Sequence, residues 1–93
     1  MIRSLKGRIA EAIAAARRPR GFPPDLVRRA GNKLAMIEAA ARLEDLRAPP
    51  ANRLEALKGD RKGQHSIRIN DQWWVCFIWK DDGAHEVEIV DYH

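Results

Sequence analysis

Three groups of residues in this chain have types and spacings suited to chemistry on a phosphate. The stretch Leu57-Lys58-Gly59-Asp60-Arg61-Lys62-Gly63 carries three cations and two glycines. Glycine lets a backbone approach a ligand closely, and cations suit an anionic phosphoryl group. The Gly-Lys-Ser/Thr order of a P-loop is absent, and taken alone the stretch reads more readily as a charged surface turn. The second group, Asp91-Tyr92-His93, sets a carboxylate, a phenol and an imidazole side by side. Such groups can move a proton and orient one another, although by themselves they also read as a polar tail beyond the last strand. The third group is Ser66, Arg68 and Asn70, alternating on one side of an extended segment. These residues suit contact with a nucleic-acid backbone, and equally the wet face of a sheet.

His65 and His85 read as solvent-facing strand residues. No H-E-x-x-H or H-x-x-E-H spacing exists, so neither a metal nor a cofactor is expected. Cys76 is the single cysteine, which excludes an intramolecular disulfide and a cysteine-based zinc site. Within an apolar segment it reads as a small buried hydrophobe.

The elements that must hold these groups fall into two halves. Residues of about 5–47 read as helical. Ile9, Ile13 and Ala16 recur at helical spacing and predict a first helix ending near Arg17-Arg18, where Pro19 and Gly21 stop it. Asp25 is a candidate N-cap for a second helix, whose apolar stripe is Leu26, Ala30, Leu34, Ile37 and Ala41. Gly31-Asn32 inside that helix suggests a kink or a close contact. Residues of about 54–93 read as sheet. His65 to Asn70 alternates with period two, with Ile67 and Ile69 on one face. Trp73 to Trp79 is too apolar for an edge strand and is expected at the centre. Lys80-Asp81-Asp82-Gly83 carries a hairpin signature, and the closing strand points Val87 and Ile89 inward. The expected class is α+β, with two N-terminal helices on a small antiparallel sheet.

Ninety-three residues leave room for one domain, 1–93, and exclude a cofactor domain paired with a substrate domain. No apolar run is long enough to span a membrane, and no secretory signal is evident, so a cytoplasmic protein is expected. The net charge of +4 is uneven: residues 1–47 hold 11 Lys and Arg against 5 Asp and Glu, and residues 48–93 hold 6 against 8. A basic half invites an anionic partner such as RNA, DNA or an acidic peptide, or else is simply a solvated surface rich in arginine.

Three runs then carry a resemblance: Asn52-Arg53-Leu54-Glu55-Ala56-Leu57-Lys58-Gly59-Asp60-Arg61, Gly63 to Trp73, and Val90-Asp91-Tyr92-His93. Together they closely resemble the HigB branch of the RelE toxin superfamily. The likeness is specific from about Leu43 onward and weaker over the first 40 or so residues. It implies a RelE-like fold and a small endoribonuclease that cleaves mRNA on the translating ribosome. It also implies a neighbouring helix-turn-helix antitoxin of the HigA type, with operator DNA met only through that antitoxin. Lys58 falls on the family's active-site lysine, and Asp91, Tyr92 and His93 fall on its C-terminal catalytic stretch. Glu55 stands where many relatives have His, and Glu there is compatible with a subgroup. Trp74 stands where relatives carry an Arg expected to neutralise the scissile phosphate. Arg61, Arg68 and Asn70 are further candidates for RNA contact. The reading is thus a type II toxin that inhibits translation. The alternative is an attenuated relative that keeps only antitoxin and ribosome or RNA binding. A sequence-specific DNA binder ranks below both, since no helix-turn-helix spacing with a basic recognition helix occurs.

Overall fold

The apolar segment at 73–79 dictates the architecture, because a strand with so little polar surface needs partners on both sides and a cover on one face. The structure, a computed structural model, describes residues 1–91. Its helices are α1 (Arg8–Ala14) and α2 (Val27–Ala39), and its strands are β1 (Glu55–Ala56), β2 (His65–Arg68), β3 (Trp73–Lys80) and β4 (Gly83–Asp91). Short 3-10 turns occupy Pro24–Leu26, Leu43–Arg47, Pro50–Asn52 and Gly59–Arg61. The four strands form an antiparallel sheet in the order β1-β2-β3-β4, so the apolar strand is central as expected.

Alternation sorts the two faces of the sheet. Ile67, Val75 and Ile89 lie opposite one another across three strands, and all are buried against the helices. Phe77, Val87, Ile37 and Leu46 complete this core, each at or below 1% exposure. Burying each such side chain is worth about 1.5–3 kcal/mol. Phe22 seals one end, edge-on to Trp73 at 4.8 Å between ring centres.

The first helix ends at Ala14 and not near Arg17-Arg18, since Ala16 takes a left-handed φ of 59°, and the helical half differs from expectation in three further ways. Residues 2–5 are not helical. They run parallel to β4, bridging Ile2 to Ala84 and Leu5 to Val87, with backbone bonds of 2.7–3.0 Å from Arg3, Ala84 and Val87. This segment passes so close to the β3–β4 hairpin that a Cβ on Gly83 would sit 2.2 Å from the Met1 carbonyl oxygen. The hairpin glycine is therefore required by a neighbouring strand as well as by its own φ of 128°. Secondly, α2 begins at Val27 without a side-chain cap, and Asp25 lies in the preceding 3-10 turn. Thirdly, α2 stops at Ala39, because Ala40 is extended, and Ala41 is exposed. Asp45 then organises the next turn by accepting the Ala41 and Arg42 N–H groups at 2.9 and 3.0 Å. Those bonds hold its carboxyl below the ordinary pKa. A Cβ on Gly31 would touch nothing, so that glycine marks no close contact.

One buried polar pair ties the halves together. Lys33 lies on the apolar stripe of α2 and is 7% exposed, and Asn52 is fully buried. The Lys33 ammonium donates to Asn52 Oδ1 at 2.6 Å. Asn52 Nδ2 in turn donates to the carbonyls of Leu46 (3.2 Å) and Ala48 (3.3 Å). A buried polar group left without its partner costs about 1–3 kcal/mol, and more when charged. Asn52→Ala should therefore lower the unfolding free energy by about 2–4 kcal/mol. A urea titration would read this as a reduced midpoint with an unchanged slope.

Candidate active face of the sheet

The sheet face away from the helices holds the candidate site. Directly opposed residues in antiparallel strands share a face. Glu55, Ser66, Cys76 and Glu88 therefore form one row across all four strands, and Arg68, Trp74 and Val90 form a second. At about 4.8 Å per strand the first row spans roughly 14 Å from Glu55 to Glu88. Ser66 and Cys76, at its middle, are fully buried.

The loop after β1 brings the cations. Its turns close through backbone bonds from Leu57 to Gln64 (2.9 Å), Arg61 to Lys58 (3.3 Å) and Gln64 to Arg61 (3.0 Å). Positive φ at Gly59 and Gly63 gives the loop its curvature. Arg61 Nη1 donates to Gln64 Oε1 at 3.1 Å and to Glu88 Oε1 at 3.2 Å. An ion pair from this loop to β4, three strands away, requires the loop to arch over the outer face. Lys58 stands exposed at the start of that arch. Among the described residues its ammonium has no carboxylate within ion-pair distance, whereas Arg61 is paired with Glu88 and Arg68 with Asp71.

The remaining candidates divide between the two sides. Glu55 and Trp74 lie on the outer face, with Trp74 half-buried between Arg68 and Val90. Asp91 lies opposite Trp73 and so belongs to the helix side at the sheet's end, where its Oδ2 accepts from Gln72 Nε2 at 2.9 Å. Asn70 shapes the β2–β3 turn: its Oδ1 accepts from the backbone N–H of Gln72 (2.9 Å) and Trp73 (2.7 Å). Tyr92 and His93 lie outside the described residues. His65 is not solvent-facing; its ring stacks on Phe77 at 6.4 Å and lines a hollow with Leu43 and Arg47. No cluster of metal-binding side chains occurs among the described residues.

Two features escaped the sequence reading. Glu88 pairs with Arg61, and only the register of β4 against β3 shows that the two can meet. Lys33 was hidden on the helix stripe, although a lysine three residues after Ala30 and four before Ile37 is itself a signal of something polar inside.

A small antiparallel sheet with helices on one side is consistent with the fold of the RelE-like toxins of type II toxin–antitoxin systems, and the chain belongs to that class. Within it, the family described as the RelE-like toxin HigB matches residues 11–93. The chain is 42% identical over 68 residues to "Toxin HigB-1" of Vibrio cholerae, covering 73% of this chain and 72% of that protein. It is 29% identical to "Endoribonuclease HigB" of Proteus vulgaris over the full length of both. An uncharacterised protein of Haemophilus influenzae is 43% identical over 66 residues, or 71% of this chain and 65% of that one. A toxin of a type II system has an antitoxin as its partner. No described helix is long and apolar enough to cross a membrane.

Proposed function

We propose that this chain is an mRNA endoribonuclease that cuts message presented by the ribosome, with Lys58 as its phosphate-stabilising cation. The observation that carries the assignment is that Lys58, at the root of the loop, has no carboxylate partner among the described residues, a property it shares with Lys62, whereas Arg61 and Arg68 are paired. Attack by a ribose 2′-OH on its neighbouring phosphate places extra negative charge on the phosphoryl oxygens. An unpaired ammonium meets that charge without first giving up another anion. His93 is the candidate to exchange protons with the 2′-OH or the leaving 5′-oxygen, and Tyr92 to stack on or hydrogen-bond a base. Asp91, held by Gln72 on the helix side of the sheet, acts as a positioning residue for that chain end. So sparse an acid–base set suits a substrate oriented by a larger partner. We assign neutralisation to a HigA-type helix-turn-helix antitoxin, through which alone operator DNA is met, and place the protein in the cytoplasm.

Purified protein should cut message in a programmed ribosome far faster than the same RNA free in solution. Equal cleavage of naked RNA would refute ribosome dependence. Lys58→Ala should remove about 2–4 kcal/mol of transition-state stabilisation in single-turnover cleavage, with the melting temperature nearly unchanged. A large loss of stability at an unchanged rate would make Lys58 structural instead.

A second reading rests on Trp74. Its indole occupies the outer face opposite Arg68, with one N–H donor and no charge where an arginine would supply a bidentate cation. The chain is then an attenuated toxin that keeps antitoxin and ribosome or RNA binding. On this reading Trp74→Arg should raise single-turnover cleavage on ribosomes at least tenfold, about 1.4 kcal/mol, and leave antitoxin affinity unchanged. A variant no faster than the parent would eliminate it.

A further inference from the structure

A cleft of about 510 Å³ opens between α2 and the β2–β3 turn, lined by Arg29, Lys33, Arg68 and Asn70 among others. Arg29 and Lys33 are four residues apart on α2 and so project on the same side of the helix. Arg29 is exposed, and its Nη1 donates to the Ile69 carbonyl at 3.3 Å across the cleft. Lys33 is nearly buried; its ammonium donates to one neutral oxygen, Asn52 Oδ1, and among the described residues it meets no carboxylate. Burial and the nearby Arg29 both disfavour its charged form and hold its pKa below the usual 10.5. Among the described residues neither cation has a carboxylate within ion-pair distance, and for the nearly buried Lys33 this is an incomplete electrostatic arrangement, since a buried charge is ordinarily paired. The carboxylate lining the cleft, Asp71, pairs with Arg68 at the mouth and is 95% exposed.

We propose that this cleft is a phosphate subsite for the RNA strand, in which Arg29 and Lys33 hold a backbone phosphate away from the cut bond. The proposal rests on the reading of the chain as an RNA-cleaving toxin and adds a path for its substrate. Continuity favours RNA over an acidic protein segment. Arg68 belongs to the Trp74 row of the outer face and also lines the cleft. A strand crossing Trp74 can therefore pass the Arg68–Asp71 pair at the turn and reach the two α2 cations.

The test uses a single-stranded 2′-O-methyl oligoribonucleotide, which cannot be cut by 2′-OH attack, bound to the full chain over a range of salt. Arg29→Gln should weaken binding several-fold and flatten the plot of log affinity against log salt by about 0.7, the loss of one phosphate contact on a single strand. Lys33→Gln, which keeps an amide donor towards Asn52, should do the same. Arg29 is exposed, so that variant remains informative if the Lys33 change impairs folding. A wild-type salt slope in Arg29→Gln would overturn the proposal. So would loss of binding to an acidic peptide of matched charge with RNA binding intact, since the cleft would then serve a protein partner. Cleavage on programmed ribosomes is scored separately. Normal cleavage by the unmodified chain with an unchanged slope in Arg29→Gln refutes the subsite alone, whereas absent cleavage by the unmodified chain with a flattened slope in Arg29→Gln refutes the nuclease reading and leaves the subsite standing.

Discussion

The hydrogen bond from Lys33 to Asn52 is the constraint on which the rest of this structure depends. It joins the middle of α2 to the 3-10 turn that delivers the chain into β1. The other end of the Asn52 amide fastens the carbonyls of Leu46 and Ala48. One side chain thereby fixes where the connecting segment leaves the helix layer and where the sheet begins. The position of β1 sets the root of the cationic loop, and that root decides which charges lie over the outer face. A buried ammonium is a costly way to pin a connection. It is also specific, because an apolar contact of similar size would tolerate sliding and a single 2.6 Å bond does not.

Charge pairing gives the outer face its selectivity. Arginines dominate the basic inventory of the chain, yet Arg61 and Arg68 reach carboxylates of their own fold. Ion pairs that stay in contact with solvent add little to stability, about 0–1 kcal/mol, and these two are partly covered. Their effect is to occupy the guanidinium groups and to lay one loop across the sheet. Lysine at position 58, shorter of donors and unpaired among the described residues, remains available to a ligand.

The legible parts of this fold are those governed by short-range rules. Period-two alternation puts Ile67, Ile69, Val87 and Ile89 on the buried side, where the structure has them, and the apolar run 73–79 marks a central strand. Asp81-Asp82-Gly83 marked the hairpin. The illegible parts depend on partners distant in sequence. Nothing in Ile2-Arg3-Ser4-Leu5 states that its neighbours are residues 84–87, and helix propensity in the following alanine-rich stretch masks its extended form. The site was partly legible for the same reason. Residue types pointed to Lys58 and to the chain end, and the likeness to a family sharpened both. The face on which a residue falls was not readable from type: Asp91 is one residue from Val90 and lies on the opposite side of the sheet. Neither Glu88 as the partner of Arg61 nor Lys33 as a cleft residue could be seen without the register that brings them there.

The parallel contact of residues 2–5 with β4 has a consequence for the order in which the molecule is made. During synthesis the first few residues emerge from the ribosome long before their partners, roughly eighty positions later, have been joined to the chain. Until β4 exists, the Met1 carbonyl has no Ala84 N–H and the Ser4 hydroxyl no Glu86 N–H to accept, and the outer edge of β3 is open. Residues 2–5 and β4 are thus each other's closing piece. A nascent toxin on the ribosome is therefore an unfinished object up to its last strand. Its assembly, with the loop anchored through Glu88, waits until residues 83–91 have been joined to the chain.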